Sequence, residues 1–180
     1  SSDLLAAAVG AGGRKAFEQI RPQGQAKQFH AEVWKVPGES LDYRVTSHFE
    51  QVNINLEIFP YPVEEVRGTL TFRPGLAVLE SLTGRHEGAT VTAGGQIALT
   101  DPVGLDLLIK VANLPLDDSL REAIPANQRE IWEQLQPRGL ADLSLMLQHN
   151  LPDPGETNYL LEIDARNAGV TYQEFPYPLE

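Results

Sequence analysis

The sequence repeats itself at an offset of 115 to 116 residues, and this repetition constrains the fold more than any single motif. Residues 3–24 match residues 118–139 at nine of 22 positions. Residues 59–64, FPYPVE, match residues 175–180, FPYPLE, at five of six positions. Two landmarks in the same order and with nearly the same spacing indicate one unit of about 115 residues followed by part of a second.

In repeat proteins each unit buries part of its apolar surface against its neighbours, and function belongs to the shared surface. We therefore expect a first unit over residues 1–117 and the beginning of a second over residues 118–180. The two should pack as one continuous domain, cut from a longer array.

Period-two alternation of apolar and polar residues predicts strands with one apolar and one polar face. Leu105, Leu107, Ile109 and Val111 show it most clearly, because polar or small residues separate most of them. One-sided strands favour antiparallel meanders over buried parallel sheets. We expect strands within 26–113 in the first unit, and within 140–174 in the second, the last two at 158–166 and 169–174. The predicted fold is mainly β, an open, curved antiparallel sheet.

Short helices are predicted once per unit, in the segments 3–20 and 118–135. Asp117 and Asp118 have the side chains that cap a helix N-terminus, and Pro137 with Gly139 would end the segment. Trp132 is the residue expected to anchor these helices to the sheet.

The two FPYP segments are predicted to be structural corners between successive strands. A proline has no backbone N–H for a sheet ladder, so a Pro-x-Pro pair ends a strand or bends an edge. The four corner residues are Pro60, Pro62, Pro176 and Pro178.

Charge and composition exclude several classes of function. The formal net charge is −11, which argues against nucleic-acid binding and against a polybasic membrane patch. The absence of cysteine excludes disulfides, thiol catalysis and thiolate metal sites. No run approaches 18 apolar residues, so we expect no membrane-spanning segment in this fragment.

The motifs that suggest catalysis or metal binding are incomplete. Residues 10–15, GAGGRK, lack the third glycine of a dinucleotide loop and the Lys-Ser/Thr of a phosphate loop. His86-Glu87 begins like a zinc-protease helix, but position 90 is Thr. GxSxG is absent. We therefore predict a non-enzymatic protein with no cofactor and no metal site.

The order and residue patterns of three segments resemble those of the AsmA-like family of bacterial envelope proteins. These segments are 66–75 (VRGTLTFRPG), 89–99 (ATVTAGGQIAL) and 105–117, which ends in NLPLD. The family includes the translocation and assembly module and is related to lipid-transfer proteins built from repeating β-grooves. The resemblance covers most of the chain and contains no catalytic signature.

The resemblance implies a repeating β-groove, exposed to the periplasm in a protein anchored in the inner membrane. It further implies phospholipid transfer between membranes or outer-membrane assembly, with phospholipid acyl chains and neighbouring repeats of the same chain as partners. The alternative is a structural or protein-binding β-solenoid with a closed core. The candidate lipid-facing residues are Leu70, Phe72, Ile97, Leu99, Leu107 and Ile109.

Overall fold

The described residues form one antiparallel sheet of nine strands, in which each strand pairs with its neighbours in sequence. A computed structural model describes residues 26–38, 42–56, 59–124, 126, 129–150, 153, 155–172 and 175–179. The prediction of a mainly β fold with an open antiparallel sheet is confirmed, because β1 and β9 are opposite ends of the strand order. The strands are β1 (Ala26–Trp34), β2 (Asp42–Leu56), β3 (Phe59–Arg73), β4 (Leu76–His86), β5 (Ala89–Ala98), β6 (Gly104–Pro115), β7 (Arg138–His149), β8 (Thr157–Tyr172) and β9 (Phe175–Leu179).

The strands are longer than simple alternation suggests, because single residues bulge without ending a strand. In β2 the register slips between Phe49 and Val52, where Gln51 has φ 58°. Because the bulge adds one residue, Phe49 and Val52 nevertheless lie on the same face of the sheet. The segments 158–166 and 169–174, predicted as two strands, belong largely to the single strand β8.

Two short helices connect β6 to β7. Helix α1 (Asp118–Ala123) begins at the N-cap Asp117, whose Oδ1 accepts a hydrogen bond from the Leu120 N–H at 3.0 Å. Helix α2 (Arg129–Leu135) follows. These helices occupy the predicted segment 118–135, whereas the predicted helical segment 3–20 lies outside the described residues.

The sheet places the FPYP prolines inside strands, although we expected corners. Pro60 and Pro62 lie in β3, Pro176 and Pro178 in β9, so each chain reversal precedes its FPYP segment. In the register between the described strands, none of these prolines has a cross-strand partner. A strand can therefore begin with them without losing a ladder hydrogen bond.

The spacing of the strands follows the spacing of the sequence repeat. Strand β8 begins 115 residues after β2, and β9 begins 116 residues after β3. The helices α1 and α2 precede β7 in the second unit, as the matching segment of the first unit precedes β1.

The core is thin and divided into two clusters on the same face of the sheet. One consists of Val45, Phe72, Ala77 and Ile97. Among the described residues no large side chain is fully buried. Globular domains normally close a sheet with a second layer, and here the described second layer consists of α1 and α2. The other cluster, which includes these helices, contains Tyr61, Leu114, Leu120 and Ala123.

Candidate functional site: an apolar sheet face

One face of the sheet is apolar from β1 to β8, and we call it the apolar face. Pairing in register carries it from strand to strand, because residues opposite each other in a sheet share a face. Phe72 is paired with Ala77, Ala77 with Ile97, and Ile97 with Leu105. The face continues through residue pairs such as Leu107–Leu147, Ile109–Leu145, Leu147–Tyr159, Leu145–Leu161 and Leu143–Ile163.

The structure brings five of the six candidate lipid-facing residues onto this face. Leu70 and Phe72 lie on β3, Ile97 on β5, and Leu107 and Ile109 on β6. The sixth candidate, Leu99, follows β5 and packs against the first core cluster. Its backbone N–H donates to the Gly75 carbonyl at 2.8 Å.

Burial divides these candidates into two groups. Phe72 and Ile97 are buried in the first core cluster, with Leu70, Leu99 and Leu107 partly buried against it. Ile109 is also half-buried. Farther along the apolar face, Leu145 and Leu147 are half-buried, and the β8 residues are exposed. The face therefore becomes progressively more open from β5 to β8.

In the part of the chain that the structure describes, the helices α1 and α2 cover one end of the apolar face. Leu120 and Ala123 of α1 are buried with Tyr61 and Leu114. Trp132 of α2 packs against the same cluster, together with Val111 and Leu143. The predicted role of Trp132 as an anchor is thus the role it has in the structure.

The opposite face, which we call the polar face, is linked across strands by side-chain hydrogen bonds. It also carries one exposed apolar row, formed by Leu108, Met146 and Leu160 in register. His48 Nδ1 lies 2.8 Å from Thr69 Oγ1, and Thr71 Oγ1 donates to Glu80 at 3.2 Å. An open depression of about 750 Å³ lies over β4, β5 and β6, where Gly94 and Gly95 leave the sheet without side chains. Its lining on the polar face includes Val78, Gln96, Asp106, Leu108, Lys110 and Met146.

A buried histidine was missed by the sequence reasoning, which considered His86 only as part of an incomplete zinc-protease motif. His86 is the last residue of β4, and its side chain is only 9% exposed. Its Nδ1 lies 2.6 Å from the Pro62 carbonyl oxygen. Its Nε2 is buried, finds no hydrogen-bond partner among the described residues, and lies 3.9 Å from a carboxylate oxygen of Glu87. The alternation of Leu82, Gly84 and His86 on one face was the signal that could have revealed this burial.

Two tyrosines of the apolar face have altered acidity. Burial, together with the smaller effects of the nearby carboxylates of Asp117 and Glu87, raises the pKa of Tyr61 to about 12. Burial, with a smaller effect of Asp42, also raises the pKa of Tyr43. Both phenols therefore stay protonated at neutral pH and act as apolar rings with a polar tip.

The described side chains do not assemble a metal site. Over that part of the chain, no group of three or more His, Asp or Glu residues could hold an ion. The other histidines lie apart on their strands: His30 is exposed, His48 binds Thr69, and the His149 Nδ1 lies 2.6 Å from Thr157 Oγ1.

Comparisons with protein-family models, with curated proteins and with solved structures found no match for this chain. Among the described residues, no helix is both long and apolar enough to cross a membrane. What the chain can bind must therefore be argued from the geometry of its two faces.

Proposed function

We propose that this chain is a non-catalytic repeat module whose apolar face binds phospholipid acyl chains. The observation that carries the proposal comes from the described residues: their nine strands form one sheet with an apolar face, and α1 and α2 cover one end of it. Burying an exposed large aliphatic side chain is favourable by about 1.5–3 kcal/mol. An acyl chain that covers these side chains would itself gain about 0.8 kcal/mol for each methylene group that leaves water.

The proposed lipid-contacting surface differs in part from the set suggested by the sequence. Phe72 and Ile97 are already buried by protein side chains, so they support the surface from within the first core cluster. Leu107 and Ile109 keep part of their surface free and lead to more open side chains on β7 and β8. The proposed contact surface consists of Leu107, Ile109, Leu145, Leu147, Leu161 and Ile163.

The charge of the chain favours acyl-chain contact over head-group recognition. With a formal net charge of −11, the chain repels anionic head groups. We infer that head groups stay in solvent while the tails contact the apolar face. Contact of the tails with the apolar face, together with the AsmA-like residue patterns of 66–75 and 105–117, supports a role in phospholipid transfer or outer-membrane assembly. The chain would then be the periplasmic part of an envelope protein that is anchored in the inner membrane.

Native mass spectrometry of the purified chain, followed by lipid extraction from the same sample, tests this proposal. Three consecutive residues of β6 provide matched variants, because Leu107 and Ile109 lie on the apolar face and Leu108 on the polar face. Phospholipid should copurify with the wild type and with Leu108→Glu, and should be lost from the double variant Leu107→Glu, Ile109→Glu.

The closed scaffold is the second candidate, and the sealed cluster of Val45, Phe72, Ala77 and Ile97 is the observation that favours it. A scaffold predicts a lipid-free mass for all three proteins and a cooperative thermal transition. Equal lipid binding by the two kinds of variant would contradict the proposed surface, because it would show that the apolar face is not where lipid binds.

A further inference from the structure

The apolar row of the polar face crosses the interior of the sheet. Leu108 of β6 is 39% exposed, Met146 of β7 is 46% exposed, and the two are paired in register. Strands β6 and β7 each have a described strand on both sides, so the exposure of these two side chains does not arise at a sheet edge. Adjoining apolar side chains that remain exposed on a folded protein commonly mark an interaction surface.

The cross-strand neighbour of Leu108 on β5 is Gly94, which has no side chain to cover it. A Cβ at Gly94 would make only an ordinary contact, 3.6 Å from the Leu79 carbonyl oxygen. The sheet therefore does not require glycine at this position, although glycine weakens a strand. A glycine within a strand often marks a place where another chain or a ligand approaches the backbone closely.

Opposite charges flank Leu108 along its own strand. Asp106 and Lys110 lie two residues before it and two residues after it, on the same face of the sheet. Asp106 accepts a hydrogen bond from the Gln148 side-chain amide at 3.4 Å. Lys110 is exposed and makes no ion pair with any described residue. The order along β6 is therefore anion, apolar side chain, cation.

This order is complementary to its own reverse. Suppose that a second copy of the chain lies face to face on the first, with a two-fold axis along the line through Leu108 and Met146. Its β6 then runs antiparallel to the first β6, and each copy contributes the same surface to the contact. Each Asp106 faces the Lys110 of the other copy, while Leu108 faces Leu108. Face-to-face sheets whose strands are nearly aligned are a common packing arrangement.

The neighbouring strands are compatible with the same axis. The axis exchanges the row of side chains that contains Asp106 with the row that contains Lys110. On the other strands, the pairs created between the two copies are Gln96 with Thr92, Gln148 with Ser144, and Asn158 with Glu162. Each of these pairs can form a hydrogen bond, and none brings two like charges together, which would oppose association.

From these observations we propose that the polar face, centred on Leu108, is a contact surface between two copies of this chain. The surface lies on the side of the sheet opposite to the proposed lipid-contacting surface, so neither proposal depends on the other. Two copies with a formal net charge of −11 repel each other at long range. At about 0.15 M salt, exposed charges more than about 8 Å apart are largely screened, whereas directly facing Asp106 and Lys110 still attract.

Sedimentation equilibrium at about 0.15 M salt, over a series of protein concentrations, tests the proposal. The wild type should dimerise. Asp106→Lys and Lys110→Asp should each raise the dissociation constant by about tenfold or more, because each variant places like charges opposite each other at both ends of the contact. An equimolar mixture of the two variants should dimerise again, since one chain then presents two cations and the other two carboxylates. Dimerisation of the mixture would also show that both variants are folded.

Two further variants locate the contact. Leu108→Glu should abolish the dimer, because it places a carboxylate at the centre of the apolar row. Glu32→Lys changes the net charge as much as Asp106→Lys does, but on the distant strand β1, and should leave the dissociation constant unchanged. A wild type that stays monomeric at every concentration would overturn the proposal. So would a dimer that tolerates both charge reversals, or variants that do not pair with each other when mixed.

Discussion

The imidazole of His86 lies against the phenol ring of Tyr61, with 3.8 Å between ring centroids and 44° between ring planes. The contact joins the end of β4 to the beginning of β3, directly beneath the buried side chains of α1. The Pro62 carbonyl fixes the imidazole from the other side. The two rings thus form part of the base on which the helices rest.

We expect His86→Ala to lower the free energy of unfolding by about 1–3 kcal/mol, because it removes a buried ring and leaves the Pro62 carbonyl without its partner. Urea unfolding measures the change. His48→Ala is the control, since His48 is exposed and should change stability by no more than about 0.5 kcal/mol. Equal losses in the two variants would contradict the role of the His86–Tyr61 contact.

Stability should fall as the pH rises from about 10 to about 12, because Tyr61 ionises near 10 in the unfolded chain and at about 12 in the folded one. The contribution is complete below pH 10, where both states are protonated, and is lost as the folded phenol ionises. Urea unfolding across this range measures it. Tyr61→Phe should flatten the fall, leaving the part due to Tyr43, whose pKa is also raised. If the free energy of unfolding of Tyr61→Phe fell with pH as steeply as that of the wild type, the contribution of Tyr61 would be contradicted.

Two substitutions at Asp117 should separate its charge from its cap. Asp117→Asn retains an oxygen for the Leu120 N–H and removes a carboxylate that raises the pKa of Tyr61, so this pKa should move down from about 12. Asp117→Ala should lower it too, and should also cost about 1 kcal/mol of stability through loss of the cap. Alkaline titration followed by tyrosinate absorbance measures the pKa of Tyr61. Denaturant unfolding measures the stability lost with the N-cap hydrogen bond. A pKa that stays at about 12 in both variants would contradict the electrostatic contribution.

Adjacent glycines in β5 should respond differently to alanine. Gly95 has φ 136°, and a Cβ there would overlap the Asp106 carbonyl oxygen, so Gly95→Ala should cost about 2 kcal/mol or more. At Gly94 the nearest atom to a Cβ is the Leu79 carbonyl oxygen at 3.6 Å, an ordinary contact. We therefore expect Gly94→Ala to be nearly neutral. Thermal unfolding of the pair measures the contrast, and a reversed order would refute the strand geometry at this point.

The faces of the strands could be predicted from sequence, because the two-residue period of a strand is written directly in residue polarity. Leu107 and Ile109 were therefore placed on the correct face. Their burial could not be predicted, since it depends on side chains from strands 12 to 40 residues away in sequence. Phe72 and Leu107 look equivalent in sequence, but only Phe72 is sealed by its cross-strand neighbours.

Bulges and helix ends were also beyond sequence reasoning. Asn113, with φ 56°, displaces the alternation by one residue, so that Leu114 returns to the apolar face occupied by Val111. Arg129 is one of the nine residues of 118–139 that are identical in 3–24, where its equivalent is Arg14, but the sequence gives no role for it. Its guanidinium donates hydrogen bonds at 2.7 Å to the carbonyl oxygens of Ile124 and Glu122. It thus supplies donors to two carbonyl groups at the C-terminal end of α1. Both effects depend on backbone groups, which leave no distinct residue pattern.

The strictly sequential order of the nine strands has a consequence for how the molecule is made. Each strand finds its hydrogen-bonding partner in the segment synthesised immediately before it, apart from the helical insert between β6 and β7. Loop closure between successive strands therefore spans few residues, which keeps its entropic cost small. The sheet can therefore form strand by strand from one hairpin during translation, because no strand requires a partner from a distant part of the polypeptide.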